Sequence, residues 1–389
     1  MSSMMTVEVQ LGRVSRPVRS DDRSGDLSLL GFSANKHGML FEKPYFSTGW
    51  GRCFFAWLQI TAGIVLLATP MLAAESHEKL LEFRGQVLLP ANVLSPKKTL
   101  TLALFGVELP FTARTWAGSD GRFRFRDLKP GSYTLSIYIP NDGEILETVE
   151  ITKSFADSKG RVEKKFAFDE ESLHAQVRPM AQDMVSVRVL GIPARARGEY
   201  EKAEARLRHQ DVDGAIQHLE KAIELAPQFA EALNNLGTIY FQKQEFSRAE
   251  QIFRTALQKD PQAYQPLVNL GGTVLAQGRL QEALTINLRA QSIHPADALA
   301  NAQLGLCYFL LGEDDRALTY LETTKRIDPA HFSNPEIPLA EIHIHRSEKA
   351  AALRELDDFL KMHPDSDQTT KVRGLIEKLQ TSQINSGTF

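Results

Sequence analysis

The stretch "EALNNLGTIYF" at residues 231–241 returns as "QPLVNLGGTVL" at 265–275 and as "LANAQLGLCYF" at 299–309, displaced by the same step each time. The landmarks around it keep that step. Pro227, Pro261, Pro295 and Pro329 are 34 apart, as are Gly237, Gly271 and Gly305, and Ala215, Ala249, Ala283 and Ala317. Within each unit the apolar residues recur every three or four positions, the period of a helix with one buried face. A unit of this length cannot bury its apolar face alone, so the units stack and the array needs several of them.

The spacing has a physical cause. Two antiparallel helices pack about 8–10 Å apart, and only small side chains fit at their closest approach. Gly237 on the first helix and Ala249 and Ala256 on the second are placed for that role, with Tyr240 and Phe253 filling the wider gap. Pro261 ends the second helix because it lacks an N–H and restricts the residue before it. The pattern Leu236-Gly237, Tyr240, Ala249, Phe253, Pro261 resembles the tetratricopeptide repeat, with Leu233 where that repeat often has Trp. The third unit keeps Leu270-Gly271 but has Val274 and Asn287 at the two aromatic positions. The fourth keeps Leu304-Gly305, Tyr308 and Ala317, with Leu321. A looser first unit has Ala203, Ala215, Leu219 and Pro227, and a degenerate fifth has Ala340, Ala352, Leu356 and Pro364. The resemblance implies an all-α solenoid over residues 196–364, a right-handed superhelix of helix pairs. Residues 365–389 then supply a capping helix and tail, with Val372, Leu375, Ile376 and Leu379 inward.

In that family the first helix of each pair lines the concave surface, at positions 2, 5, 6, 9 and 12 of the repeat. Repeat two then offers Glu231, Asn234, Asn235, Thr238 and Phe241. Repeat three offers Gln265, Val268, Asn269, Gly272 and Leu275, and repeat four Leu299, Ala302, Gln303, Leu306 and Phe309. Position 6 reads Asn, Asn, Gln. A carboxamide both donates and accepts, so a ladder of them can hold an extended backbone without demanding its sequence. The competing reading is that these amides bond only to local partners or water. The family's clamp on a C-terminal carboxylate needs Lys or Arg at these positions, and repeats two to four have none there. The expected ligand is an extended, weakly charged peptide with some apolar side chains.

Residues 80–168 carry a different period. In "GRFRFR", Phe123 and Phe125 alternate with Arg122, Arg124 and Arg126; Leu100, Leu102 and Leu104 alternate likewise, as do Tyr133, Leu135 and Ile137. Period two places one set in a core and the other in water. "SDG" at 119–121 supplies a turn, and "KPGS" at 129–132 suits a type II turn. Several short strands at this spacing predict a small β-sandwich. The stretch "SDGRFRFRDLKPGSYTLSI" resembles the carboxypeptidase regulatory-like family, prealbumin-type β-sandwiches common on exported bacterial proteins. The resemblance implies a non-catalytic module for folding support or for contacts with sugar or protein. Trp116 and Tyr138 are rings that either pack against loops or meet a carbohydrate. The arginines read as a solvated strand face. Residues 169–195, with Gly191 and Pro193, read as a linker.

Further upstream, "CFFAWLQITAGIVLLATPMLAA" at residues 53–74 contains no charged residue and is close to the roughly 20 needed to span a bilayer. With Lys43 and Arg52 before it and Glu75 and Glu78 after it, it reads as a cleaved signal peptide or a signal anchor, and the bulk of the chain as exported. Residues 1–52 are a disordered tail or an upstream mis-start, with Met39 the other candidate start. The chain of 389 residues is 43% hydrophobic and 24% charged, with formal net charge -3. That composition excludes a disordered chain and leaves nucleic-acid binding without an electrostatic footprint. Cys53 and Cys307 lie in such different contexts that no disulfide framework is expected.

Nothing in the chain reads as catalysis, a metal site or a cofactor site. His343 and His345 are i,i+2 on a helix and point apart, His343 standing where the repeat usually has Tyr and reading as a packed core histidine. Cys307 reads as a buried inert thiol. Asp314 and Asp315 read as solvated turn acids, and Gly271-Gly272 as part of the repeat rather than a phosphate loop. The expected protein is therefore a non-enzymatic, exported interaction module, periplasmic or anchored facing outward, whose groove takes a peptide segment of an envelope partner. Alternatives are a glycan-contacting accessory subunit of an envelope polysaccharide enzyme, or a scaffold whose groove receives a neighbour's "INSGTF" tail, 384–389.

Overall fold

The computed structural model describes residues 80–90, 99–140, 143–171, 173, 177 and 191–381. The uncharged run at 53–74, the candidate start at Met39 and the tail at 384–389 lie outside the described residues. Among those described, no helix is long and apolar enough to cross a membrane. The strands and the helices described below belong to one compact unit, Tyr45–Phe389.

Seven strands come first: β1 (Leu81–Leu88), β2 (Leu100–Gly106), β3 (Thr112–Ala117), β4 (Arg122–Leu128), β5 (Gly131–Ile139), β6 (Gly143–Ile151) and β7 (Arg161–Ala167). They form a three-stranded sheet, order β4-β1-β7, and a four-stranded sheet, order β3-β2-β5-β6. Alternation decides which side chains fill the space between them. Leu100, Leu102, Leu104, Leu135 and Ile137 from one sheet meet Phe83, Phe123, Phe125 and Phe166 from the other. Phe123 stands edge-on to Phe83 at 5.6 Å.

One local expectation changes. Because β4 and β5 belong to different sheets, "KPGS" is an arch between layers, and its backbone is not that of a type II turn. Gly131 has φ 157°, far from the roughly +80° that the third position of a type II turn takes, and Asp127 within β4 is left-handed, φ 57°. The arch is pinned by Tyr133, whose O–H donates to the Lys129 carbonyl at 2.7 Å. Arg122, Arg124 and Arg126 of β4 are all exposed, as the alternation predicts, and two of them reach across to β1. Arg84, Arg124 and Arg126 converge on Glu82 at 3.0, 3.4 and 3.9 Å. The Arg84 hydrogen bond chiefly holds that carboxyl below its ordinary range.

Eleven helices follow among the described residues: α1 (Ala194–Arg208), α2 (Val212–Leu225), α3 (Ala230–Gln242), α4 (Phe246–Lys259), α5 (Tyr264–Ala276), α6 (Leu280–Ile293), α7 (Ala298–Leu310), α8 (Asp314–Ile327), α9 (Glu336–His345), α10 (Lys349–Met362) and α11 (Thr369–Thr381). The repeat landmarks sit where packing needs them. A methyl group on Gly237 would meet Phe253 at 2.6 Å, one on Gly271 would meet Asn287 at 1.8 Å, and one on Gly305 would meet Leu321 at 2.6 Å. The three glycines and their three partners each recur at the repeat step, so one close approach is built three times. Pro227, Pro261, Pro295 and Pro329 each directly follow a C-cap residue, Ala226, Asp260, His294 and Asp328. Asp211 and Asp297 accept from Gly214 N and Ala300 N to cap α2 and α7.

His343 is not a core histidine. It is half-buried, with Nδ1 2.6 Å from Glu348. Asp314 and Asp315 open α8, where acids suit the helix dipole, and Asp315 accepts from Arg346 at 2.6 Å.

Candidate functional site: a slot between sandwich and solenoid

The outer face of the four-stranded sheet is not left to solvent. Strand register sets side chains on that face in rows: Trp116, Thr101, Tyr138 and Glu144; then Arg114, Ala103, Ser136 and Leu146; then Thr112, Phe105, Thr134 and Thr148. The helices cover the last two rows in part. Ala103, Thr112, Ser136 and Thr148 are all buried, Thr148 to 1% exposure. The first row stays open, with Trp116 70% exposed, so this ring does not pack against a loop.

Directed polar contacts hold the two modules together. Gln242, at the end of α3, donates to the carbonyls of Gly106 and Val107 at 2.9 and 3.1 Å. Arg114 donates to Glu204 of α1 at 2.7 Å. Burial raises the Glu204 carboxyl above its ordinary value, against the pull of Arg114. Strand β6 is a sheet edge, and its Thr148 N–H donates to Asp328 at 3.0 Å while its carbonyl accepts from Lys164 at 3.3 Å. An edge that would otherwise offer free backbone groups is thereby closed. Ser154 donates both N–H and O–H to Asp365 at 3.0 and 2.6 Å, and His363 Nδ1 lies 3.3 Å from Glu150. Each such bond contributes about 0.5–1.5 kcal/mol net, so the set fixes an orientation more than it supplies bulk stability. The residues read as a linker, 169–195, therefore join two docked modules rather than two free ones.

Between them lies a cavity of about 1170 Å³. Its solenoid wall includes Asn234, Asn235, Thr238, Phe241, Gln265, Val268, Asn269 and Gln303, eight of the ten groove residues expected from the repeat register. The other two do not line it. Leu275 is fully buried in the core between repeats, in the same cluster as Cys307, and Phe309 is half-buried against the cluster around Tyr308. Both stand at repeat position 12, near the end of the first helix, where the neighbouring repeat packs. Phe241, at the same position of repeat two, faces the cavity because the sandwich leans over that helix end through Gln242.

The carboxamides are linked to one another. Asn269 Nδ2 donates to Asn234 Oδ1 at 3.0 Å, and Asn235 Nδ2 donates to the Tyr200 hydroxyl at 2.9 Å. The side-chain N–H groups of Asn234 and the side-chain carbonyl oxygens of Asn235 and Asn269 are left without protein partners among the described residues, so each retains one function for a ligand. Tyr200 escapes the repeat register because the expected groove begins at repeat two, although this residue stands one full repeat before Asn234. Burial pushes its phenol well above the ordinary value, so it remains protonated. Gln242, Glu108 and Leu109 escape it too; they follow from the docking, which no repeat position encodes.

No group of three or more His, Cys, Asp or Glu side chains able to hold a metal occurs among the described residues. Burial pushes the Cys307 thiol to about 12, so this cysteine is not poised as a nucleophile.

A solenoid of helix pairs with a ligand-sized slot defines the class of protein, and sequence comparison agrees with it. Residues 200–264 and 246–298 match one model of the tetratricopeptide repeat, and residues 303–331 match a second. The helical part of the chain is thus a tetratricopeptide-repeat solenoid following a β-sheet region, and proteins with such repeats mediate protein–protein interactions. Among curated proteins, the chain is 30% identical over 112 residues to the BBSome complex member BBS4 homolog of Drosophila melanogaster, covering 29% of this chain and 23% of that protein. It is 25% identical over 155 residues to BBSome complex member BBS4 of Bos taurus, covering 40% and 30%. The match spans less than a third of either relative.

Among solved structures, MamA 41-end from Desulfovibrio magneticus RS-1 is 18% identical and covers 45% of this chain and 99% of that one, with TM-score 0.40. YrrB, described as a TPR protein with an unusual peptide-binding site, is 22% identical and covers 46% and 92%, with TM-score 0.38.

Proposed function

We propose that the chain is a non-enzymatic interaction module whose slot, floored by the first helices of repeats two to four and walled by the sandwich, holds an extended peptide segment of a partner protein. The carrying observation is the cavity of about 1170 Å³ lined by Asn234, Asn235, Thr238, Asn269 and Gln303. Neighbouring first helices lie about 8–10 Å apart, so three of them span roughly 16–20 Å. An extended chain rising about 3.3 Å per residue crosses that floor in about six residues. The free amide functions of the asparagines suit main-chain N–H and C=O groups, which every peptide offers. The uncharged run at 53–74 supports export, and with it an envelope partner. The likeness of "SDGRFRFRDLKPGSYTLSI" to carboxypeptidase regulatory-like modules supports a supporting, non-catalytic sandwich.

The test is a crosslinked pull-down from the native envelope with the full chain and with an Asn234→Ala/Asn269→Ala variant of unchanged circular dichroism. A protein recovered only by the unmutated chain supports the slot as the site. Identical recovery by both sinks it.

A second reading is favoured by one observation: Trp116, 70% exposed, and Tyr138, 38% exposed, share an open row of the sheet on either side of Thr101. Two rings two strands apart, roughly 10 Å, offer a flat stacking platform to a glycan. Retention of the chain on polysaccharide that survives in a Trp116→Ala variant counts against it.

A further inference from the structure

The seam between the two modules carries a pair of acids that the peptide reading leaves unused. Glu147 lies in β6 between Ile145 and Val149, which are buried in the sandwich core, and opposite Leu135 of β5. Asp328 is the C-cap of α8 and is 3% exposed. The two line one small cavity of about 70 Å³, together with Thr148, Asp297 and His331. Asp328 commits one oxygen to the strand, its Oδ2 accepting the Thr148 N–H at 3.0 Å. Its Oδ1 is buried and has no donor among the described residues. A carboxylate at the negative end of a helix is also disfavoured by the helix dipole. The seam thus holds an acceptor that lacks a donor, beside a carboxyl that becomes a donor once protonated.

The other charged groups at this place neither supply that donor nor cancel the charge. Lys164 of β7 is directed elsewhere, with its Nζ 3.3 Å from the Thr148 carbonyl and 5.1 Å from the centre of the Phe166 ring. Burial holds His331 below its ordinary value against the pull of Asp328 and Asp297, so it carries no charge at neutral pH, and its Nδ1 is taken up by Ser333 at 2.7 Å. Asp297 caps α7 through Ala300 N. Glu144 and Glu150 of β6 accept from Ser136 and Ser132 on the outer face of the sheet, where His363 approaches Glu150. Burial first, and then the Asp328 charge, push the Glu147 carboxyl up to about 7, against the pull of Lys164.

We propose that Glu147 and Asp328 form a proton-dependent latch: protonated Glu147 gives its O–H to Asp328 and keeps β6 seated on the solenoid, and loss of that proton sets two carboxylates against each other and loosens this wall of the slot. The proton comes from solvent and returns to it. An undocked β6 is an open sheet edge, where Glu147 regains water and an ordinary value near 4.5. Between 4.5 and about 7 the docked form therefore binds the extra proton. Docking is firmest below that window and weakens as pH rises through it. The latch does not depend on what occupies the slot.

The experiment is hydrogen–deuterium exchange of the full chain at pH 5 and pH 8, read by mass spectrometry on peptides from β6 and β2, with rates corrected for the intrinsic effect of pH. Carrying the carboxyl from 4.5 to about 7 changes the opening equilibrium by at most about 300-fold, and water reaching half-buried Glu147 screens the pair, so roughly tenfold is expected. Protection of β6 should fall by that factor from pH 5 to pH 8 relative to β2, which is interior to the same sheet. Glu147→Gln keeps a donor for Asp328 at every pH and should hold β6 at its acid level of protection. Asp328→Asn keeps an acceptor for the Thr148 N–H without the charge and should flatten the response as well. Equal β6 protection of the native chain at both pH values overturns the latch. A fall that survives in Glu147→Gln or in Asp328→Asn overturns it too and moves the response to other groups, His363 and Glu150 first. Should Glu147→Gln fail to fold, Asp328→Asn decides alone.

Discussion

Asn287 is the place where the repeat departs most from its own pattern, and replacing it with Leu should make the protein more stable. The equivalent positions in the repeats before and after it hold Phe253 and Leu321, both buried. Asn287 is 0% exposed; its amide makes one long contact, 3.9 Å, to the Cys307 sulfur, and its carbonyl oxygen has no partner among the described residues. Relieving an orphaned buried acceptor is worth about 1–3 kcal/mol. Burying a Leu side chain adds about 1.5–3 kcal/mol, against which the extra bulk costs roughly 1–3 kcal/mol in strain. The strain belongs at the lower end, because Leu321 already packs against Gly305 in the same geometry that the introduced leucine would face at Gly271. The net expectation for Asn287→Leu is a gain of about 1.5–5 kcal/mol, seen as a raised urea midpoint with an unchanged slope. Asn287→Asp, which buries a charge in the same place, should lose several kcal/mol. A Leu variant less stable than the native chain would refute the reasoning, because the carbonyl would then have to be satisfied by a buried water that the substitution expels.

Three further outcomes follow from the same geometry. Gly237→Ala forces its methyl to 2.6 Å from Phe253 and should cost about 1–3 kcal/mol despite the better helix former, whereas Gly374→Ala, with nothing within 4 Å, should gain about 0.5–1 kcal/mol; chemical denaturation of both variants checks the contrast. Burial pushes the Glu336 carboxyl from an ordinary 4.5 to about 7, so the native state holds more protons than the unfolded chain between those values and stability falls as pH rises through that window. Glu336→Gln should therefore gain roughly 1–3 kcal/mol over the native chain at pH 8 and little at pH 4.5, and equal gains at both pH values would show the group is not protonated in the fold. Asp328→Ala strips the acceptor from the Thr148 N–H and should speed amide hydrogen exchange in β6; unchanged exchange would mean that the docked solenoid does not protect this edge.

The helical repeat was legible because the physics behind it is local. Gly237 and Phe253, like Gly305 and Leu321, are small and large partners at fixed separation, and a constant period in residue size is visible in one dimension. The strand alternation of Phe123 and Phe125 was legible for the same reason. The docking was not. Thr112, Ser136 and Thr148 are polar and occupy the outward positions of their strands, so by alternation alone they belong in water. Their burial depends on contacts such as the one to Asp328, which is 180 residues from Thr148, and a pairing at that separation leaves no periodic trace. One faint signal exists. The outer face is built from Thr and Ser with few Lys or Glu, which is what a sheet face tolerates when another surface must lie flat on it. Tyr200 was legible by counting back one repeat from Asn234; Glu108 and Asp367 could be found only through the docking.

The docked sandwich also limits how the groove can work. An open solenoid offers its concave face along its whole length, and affinity there is bounded by the ordering of a flexible peptide on a flat floor. Here a second wall is held through Glu204 in the first repeat, then Gln242, Asp328 and His363, to Asp365 beyond the fifth. Binding in the slot is therefore coupled to the sandwich. If the ligand fits the present gap, its binding stabilises the docked arrangement and protects β6 from exchange. If it needs a wider gap, it must break contacts such as Gln242 to Gly106, and binding weakens by their worth. Linkage makes the two cases opposite in sign, since a variant that loosens the interface weakens a ligand of the first kind and tightens one of the second. Comparing partner recovery in the crosslinked pull-down by the native chain and by Gln242→Ala decides between them.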